Sequence, residues 1–327
     1  MNYLTAEKKR QTAWKLTTKM LPRQAKVPGL YYSRMLPYCL PLDYAPYNLF
    51  HEIREDAMST FKRLGIIWHS SALPGLPSNH LCSSQVFCVN VLFPFIDRPD
   101  ALSVLLRPFF PDLTRMVPVE EGRYIAFEWI GDTNYLGESP KLGYDRHRGA
   151  GNTSIDAMMI YETKEGKRIM LLIEWKYSES YGVSYKRFRT DGTDRIEPYR
   201  DFFYGERSPI DITVTPRIED FLYEPFYQLL RHSLLASRIL EVGIPEVDQV
   251  KVVHVHAGGN NEIKAVTSPN LRDIGSDTYE VWNRVLLDPG DFLSITTEEF
   301  LAHAPIDQFP ELEPWRLYLT SRYTFLK

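Results

Sequence analysis

Asp156 opens one apolar run of this chain, and Glu174 and Lys176 close the next. The first run is Asn152-Thr153-Ser154-Ile155-Asp156-Ala157-Met158-Met159-Ile160-Tyr161, and the second is Ile169-Met170-Leu171-Leu172-Ile173-Glu174-Trp175-Lys176. The polar segment between them, Glu162 to Arg168, contains Glu165-Gly166. Two strand-like runs joined by such a turn predict a tight β-hairpin. A turn centred near Glu165 and Gly166 sets Asp156 against positions 174 to 176. Side chains alternate along a strand, so Glu174 and Lys176 share a face while Ile173 and Trp175 take the other. Burying two carboxylates and an ammonium is costly unless they are paired or hold a metal. The cluster therefore calls for a divalent cation.

The rest of the chain limits what that cluster can serve. Its 327 residues suffice for one large domain or for a core with extensions. A hydrophobic content of 44% with 24% charged residues is that of an ordinary soluble globular protein. No apolar stretch is long enough to span a bilayer, and the N-terminus lacks the apolar core of a signal peptide. Cys39, Cys82 and Cys88 have no metal-ligand spacing, which fits free buried thiols in a reducing, cytoplasmic setting. The net charge of −4 hides an asymmetry. Residues 1 to 34 carry Lys8, Lys9, Arg10, Lys15, Lys19, Arg23, Lys26 and Arg34 against Glu7 alone, so they hold +7 and the remainder holds −11. Such a basic arm can reach a polyanion, although taken alone it reads as a solvated amphipathic terminus.

Periodicity predicts an amphipathic helix over 46–64 that stops at Gly65, and a loop over Ala72–Asn79. Leu81–Phe95 is apolar enough for helix or strand, with Ser83 or Ser84 as a helix cap. Arg123–Ile130 reads as a strand, and Gly143–Thr153 as a loop into the hairpin. Ser178–Pro216 is a long irregular stretch in which aromatic residues mix with Lys186, Arg187, Arg189 and Arg195. Glu219–Val242 reads as mostly helical, its main part starting near Tyr223 or Glu224 because of Pro225. Gln249–His256 is a strand, in which His254 and His256 read as ordinary strand residues. Helices follow around Asp277–Leu287, Thr296–His303 and Glu311–Leu326.

The predicted order from residue 81 to 257, helix-strand-strand-strand-helix-strand with Asp156 on the second strand and Glu174-Trp175-Lys176 on the third, resembles the PD-(D/E)XK nuclease superfamily. Ser83-Ser84-Gln85 and Lys176-Tyr177-Ser178-Glu179 further resemble an uncharacterised bacterial branch of it. Ile155 stands where the motif has Pro, a departure the superfamily tolerates. The resemblance implies an α/β, restriction-endonuclease-like α-β-β-β-α-β core with a mixed central sheet flanked by helices. On this reading residues 1–80 form a basic helical N-terminal extension, 81–260 the nuclease core, and 261–327 a C-terminal helical cap.

The resemblance also implies roles. Asp156, Glu174 and the main-chain carbonyl of Trp175 would hold Mg²⁺ or Mn²⁺, ions that prefer hard oxygen ligands. Lys176 would position or help deprotonate the attacking water and stabilise developing charge. Many members carry a further Glu on the first core helix. Here that place has Gln85, which either fills the role itself or leaves it to Glu128 on the first strand, a helix cap or a core hydrogen bond being the structural reading of Gln85. Gln228-x-x-Arg231 resembles the Gln- or Arg-bearing helix of exonuclease-like members, giving Gln228 a place in the site and Arg231 a phosphate contact. Glu179 reads as structural. With Lys186, Arg187 and Arg189 as further phosphate contacts, the expected activity is metal-dependent hydrolysis of DNA in restriction, defence or repair; many endonucleases dimerise to cut two strands, and a homodimer is open to this chain without the sequence deciding it. A catalytically inactive nucleic-acid-binding protein on the same fold is the alternative.

Overall fold

The computed structural model describes residues 2–69, 73–138, 146–149, 151–189, 192–244 and 247–326. Parts of the expected loops Ala72–Asn79 and Gly143–Thr153, and of the irregular stretch Ser178–Pro216, lie outside them. The chain opens with α1 (Tyr3–Thr17), whose first turn is capped by the Asn2 side chain accepting from the Thr5 N–H. A short hairpin of β1 (Gly29–Tyr31) and β2 (Arg34–Leu36) follows, an element that the helical reading of 1–80 did not contain. The helix expected over 46–64 is α2 (Arg54–Arg63) alone. A 3-10 turn, Leu42–Asn48, precedes it, with Pro46 inside.

The ambiguous run Leu81–Phe95 resolves as α3 (Ser84–Leu92), with Ser83 accepting from the Val86 N–H. Every residue of α3 from Gln85 to Leu92 is buried, so no polar face was available to reveal a helical period. α4 (Pro99–Leu106) and β3 (Leu113–Val117) come next, followed by β4 (Ala126–Trp129). The hairpin is β5 (Ile155–Thr163) and β6 (Arg168–Lys176), joined by a turn in which Gly166 takes φ +78°. Then come α5 (Arg200–Tyr204), α6 (Phe226–Val242) and β7 (Gln249–His256). The chain ends with α7 (Thr278–Val285), β8 (Phe292–Thr296), α8 (Thr297–Ala302) and α9 (Glu313–Arg322).

Six strands form one mixed sheet in the order β3-β5-β6-β7-β8, with β4 also pairing β5. β5 is antiparallel to β3, β4 and β6, whereas β6, β7 and β8 run parallel. The expected C-terminal cap thus also contributes a strand, β8, to the central sheet. Alternation along the strands feeds two cores. Ala157, Met159, Tyr161, Ile173 and Trp175 pack on one face, and Met158, Met170, Leu172 and Val252 on the other, beneath α6 and α7. This is a mixed α/β architecture with helices on both faces. Among the described residues no helix is long and apolar enough to cross a membrane, and the three cysteines are free and buried.

A buried cation fastens the two ends of the chain to the core. Arg322 of α9 is fully buried; its Nε donates to Gln11 Oε1 (3.1 Å), and its terminal nitrogens reach the Asn48 carbonyl (2.7 Å), Asn48 Oδ1, the Leu81 carbonyl (3.0 Å) and the Tyr318 hydroxyl. The rings of Trp14 and Tyr323 lie 4.9 Å from the guanidinium. Removing this group strands several buried acceptors, each costing about 1–3 kcal/mol when unsatisfied. Arg322→Met is accordingly expected to lower the unfolding free energy by at least about 3 kcal/mol in urea titration. A loss under about 1 kcal/mol would show that the network is not needed.

Candidate active site

The sheet lines up its acidic residues across neighbouring strands. Pairing of Phe127 with Ala157 and of Trp129 with Ile155 places Glu128 opposite Asp156. Pairing of Ala157 with Ile173 places Asp156 opposite Glu174, and Glu174 itself pairs with His254 of β7. The predicted hairpin register therefore holds. The β5 end of the hairpin departs from the regular ladder: the Trp175 N–H donates to Asp156 Oδ2 (2.7 Å). Asp156 keeps an edge open to solvent, whereas Glu128, Glu174 and Lys176 are buried.

Each carboxylate is gripped from a different element. Glu174 Oε1 accepts from Lys176 Nζ (2.5 Å) and from Gln228 Nε2 of α6 (2.6 Å), while its Oε2 lies 3.6 Å from His232 Nε2. Glu128 takes φ +47°, in the left-handed region, and its carboxylate accepts from Gln85 Nε2 of α3 (2.7 Å) and Ser154 Oγ (3.0 Å). Gln85 also accepts from the His69 N–H (2.7 Å), and His69 Nε2 lies 3.6 Å from Glu128 Oε2. Gln85 is thus neither a free ligand nor a cap. It is the hydrogen-bonding support of Glu128.

Three carboxylates face one ammonium, and the electrostatics follow. Burial, then the charges of Glu174 and Glu128, push the Asp156 carboxyl well above its usual range, with Lys176 and the Trp175 N–H opposing. Burial also raises Glu128, against the pull of His69, Gln85 and Ser154. Burial alone would depress Lys176, but Glu174 holds it well above the ordinary lysine value, so it stays protonated. His232 is driven well below the ordinary histidine value by burial and by Arg231 and Lys176, and is neutral.

Excess buried negative charge beside hard oxygen donors suits a divalent cation. Among the described residues no group of three His, Cys, Asp or Glu side chains is arranged to hold a metal ion by itself. Mg²⁺ is commonly held by one or two carboxylates, with waters and substrate oxygens completing its shell. Asp156 and Glu174, opposite one another across β5 and β6, are the carboxylates that could hold such an ion.

The structure brings Asp156, Glu174, Lys176, Gln228, Glu128 and Gln85 into one cluster. It leaves the expected phosphate contacts elsewhere. Arg231 stacks on Tyr227 (5.0 Å), Arg187 pairs with Asp194 (3.1 Å), the Lys186 N–H bonds the Leu222 carbonyl, and Arg189 is exposed. Glu179 caps the end of β6 by accepting from the Tyr177 N–H, which is the structural role expected of it. Sequence reasoning missed Ser154, His69 and His232. Ser154, two residues before Asp156, and His232, four after Gln228 on the same helical face, were within reach of spacing arguments. Nothing in the sequence ties His69 to Glu128.

A model of the family described as "Restriction Endonuclease associating with ARP" matches residues 8–324, nearly the whole chain, and the chain belongs to that family. Comparison with curated proteins and with solved structures gave no match. Membership agrees with the expected kinship to restriction endonucleases and points to a nuclease-type function on DNA.

The raised Asp156 carboxyl makes a prediction about stability. Its folded value lies above the unfolded one of about 3.9, so its cost to the fold is absent below about pH 4 and grows as pH rises through the folded value. Asn keeps an oxygen for the Trp175 N–H without the charge. In metal-free buffer Asp156→Asn is expected to gain about 1 kcal/mol in unfolding free energy at pH 8 and nothing at pH 4. Equal stability at both pH values would mean that the carboxyl is not strained.

Proposed function

We propose that this member of a restriction-endonuclease family is a metal-dependent deoxyribonuclease of the PD-(D/E)XK type, an endonuclease acting in restriction, defence or repair. The observation that carries the reading is the cross-strand row Glu128–Asp156–Glu174, with Lys176 bonded to Glu174 and Gln228 reaching the same oxygen from α6. The succession α3-α4-β3-β4-β5-β6-α5-α6-β7 contains the expected helix-strand-strand-strand-helix-strand order with α4, β3 and α5 added to it, and with β5 and β6 antiparallel and β6 and β7 parallel it supports a restriction-endonuclease-like core.

Hydrolysis of a phosphodiester needs an oriented water, neutralisation of the scissile phosphate and support for the leaving oxygen. A Mg²⁺ or Mn²⁺ ion held by Asp156, Glu174 and the Trp175 carbonyl would supply charge neutralisation and a more acidic water. Lys176, kept protonated by Glu174, serves charge stabilisation and water orientation rather than proton removal. Gln228 fixes Glu174, and Gln85 with Ser154 fixes Glu128, so that the acids keep their aim when a cation and a phosphate enter. Dimerisation would give two such centres for two strands.

Purified protein incubated with plasmid and Mg²⁺ or Mn²⁺ is expected to cut it. Asp156→Ala should lose at least about 10³-fold of that rate and Lys176→Ala about 10²- to 10³-fold, while Gln228→Ala should lose about 10- to 100-fold through metal affinity. Cleavage persisting in both the Asp156 and Lys176 variants would sink the assignment. Plasmid binding without cleavage in either metal would identify the inactive nucleic-acid-binding alternative.

A further inference from the structure

Tyr32 sits at the tip of the β1–β2 hairpin, 79% exposed and with φ +49°, in the left-handed region. A bulky residue is strained there, and hairpin turns ordinarily give such a position to Gly, Asn or Asp. The hairpin beneath it is held firmly. Asn79 Nδ2 donates to the carbonyls of Leu30 (2.9 Å) and Leu40 (2.7 Å). A Cβ on Gly29 would lie 1.9 Å from the Leu40 oxygen, so only glycine allows that approach. A large ring kept exposed and strained on a rigid support points to use rather than to packing.

From that tip a row of rings runs back to a cation. The ring centres of Tyr32 and Tyr31 are 4.7 Å apart, those of Tyr31 and His80 5.0 Å, and those of His80 and Tyr38 5.1 Å, with Lys8 Nζ 4.9 Å from the centre of Tyr38. The rings meet at 60–75°, so they prop one another by their edges instead of stacking face to face. His80 takes its place as a neutral ring: its Nδ1 accepts from the Cys82 N–H (3.1 Å), and burial, reinforced by Lys8, lowers its pKa to about 4. Arg34 is exposed and lies directly opposite Tyr31 in the hairpin register. The surface charge of this segment is of one sign. Residues 1–42 hold a single acid, Glu7, which is buried and bonded to Arg10 and to the Tyr177 hydroxyl. The row also adjoins the candidate active site. His80 bridges to Cys39 and begins the segment that enters α3, where Gln85 supports Glu128. Ser178, two residues after Lys176, donates to the Cys82 carbonyl of that segment (3.1 Å).

We propose that this hairpin is a stacking platform for an unpaired base of the bound DNA strand, with the base lying on Tyr32 and the neighbouring phosphates met by Arg34 and Lys8. Every base has a face that an aromatic ring can stack on, and cations beside the ring follow the backbone, so the platform holds a strand without reading its sequence. Bases inside a duplex already cover one another's faces. A single-stranded segment, an end or a frayed site is therefore the form it takes. The flanking cations favour a polyanion over an apolar partner or a second copy of the same positively charged segment. That the polyanion is DNA rests on the nuclease reading above.

The test uses the full chain without divalent metal, so that binding is read apart from cleavage. The probes are fluorescently labelled oligothymidylate, a strand of equal length with abasic sites in place of its bases, and a blunt duplex, each followed by anisotropy at fixed salt. The wild type is expected to bind the base-bearing strand about tenfold more tightly than Tyr32→Gly, since the stacking of one base is lost, while Tyr32→Phe stays within about twofold. Affinity for the abasic strand and for the duplex should change by less than about twofold in Tyr32→Gly. Arg34→Gln should weaken base-bearing and abasic strands alike and flatten the salt dependence. Glycine adopts φ +49° without strain, so Tyr32→Gly should melt with the wild type. If it unfolds, Tyr32→Asn, which also tolerates that conformation, carries the same expectation. No binding of the base-bearing strand by the wild type, binding unchanged in Tyr32→Gly, or an equal loss on the abasic strand overturns the proposal. So does self-association in sedimentation that depends on Tyr32 while strand binding does not, which would give the hairpin to a second copy. Tyr32-dependent strand binding by a wild type that cuts no plasmid in Mg²⁺ or Mn²⁺ leaves the platform standing and sinks the nuclease reading. Plasmid cleavage with strand binding indifferent to Tyr32 does the reverse.

Discussion

Everything in this fold is arranged around one strand that carries charge where it has no water. β6 lies between antiparallel β5 and parallel β7, and from Ile169 to Lys176 it is buried throughout, including Glu174 and Lys176. Neither charge would be tolerated alone at that depth. They are tolerated as a pair, 2.5 Å apart, with Gln228 of α6 taking a second position on the same carboxylate oxygen. The neighbouring Asp156 and Glu128 are then a surplus of negative charge in the same row; burial first, and then the charges of Glu174 and Glu128, make the Asp156 carboxyl resist ionisation. The pair lets the strand fold, and the row it belongs to stays short of positive charge.

The sequence made this strand pair legible because its period is two. Alternation along 169–176 decided which residues face α6, and the turn at Gly166 decided the register, so Asp156 and Glu174 met as expected. Other elements had no such signal. α3 is apolar on every side and could not be told from a strand by pattern. β3 and β8, five residues each, are too short to show an alternation, and each depends on a partner far away in the chain. In the site, the residues that cross-strand pairing or helical spacing could place were found or findable. His69 was not, because its link to Glu128 runs through Gln85 and a segment with no regular structure.

The N-terminal segment shows how net charge can mislead about location. Its +7 suggested a solvated or polyanion-seeking arm. Lys9, Arg10, Lys19, Arg23 and Arg34 are indeed exposed, but Lys15 is buried, with its Nζ donating to the carbonyls of Val27 (3.0 Å) and Cys39 (2.9 Å). Glu7 and Gln11, from the same helix, hydrogen-bond the hydroxyl of Tyr177 at 2.6 and 3.0 Å. Tyr177 follows Lys176 directly, so α1 braces the strand that carries the charge pair. The arm is part of the wall behind the site, and only its outer face remains for phosphates.

α6 ties the acidic row to its surroundings. Gln228 and His232, one turn apart, face Glu174. Tyr227 and Arg231, one residue earlier in each case, meet on another side of the helix, the guanidinium 5.0 Å from the ring. A shift of one residue on a helix is a rotation of about 100°, so a single rigid element presents a carboxylate-holding edge and an arginine-bearing edge side by side. Just before β5 the same proximity recurs, with Thr153 tied to Glu138 and Ser154 tied to Glu128 of the acidic row. Covalent geometry within α6 and the segment entering β5 thus sets the acidic row beside the Glu138 cluster.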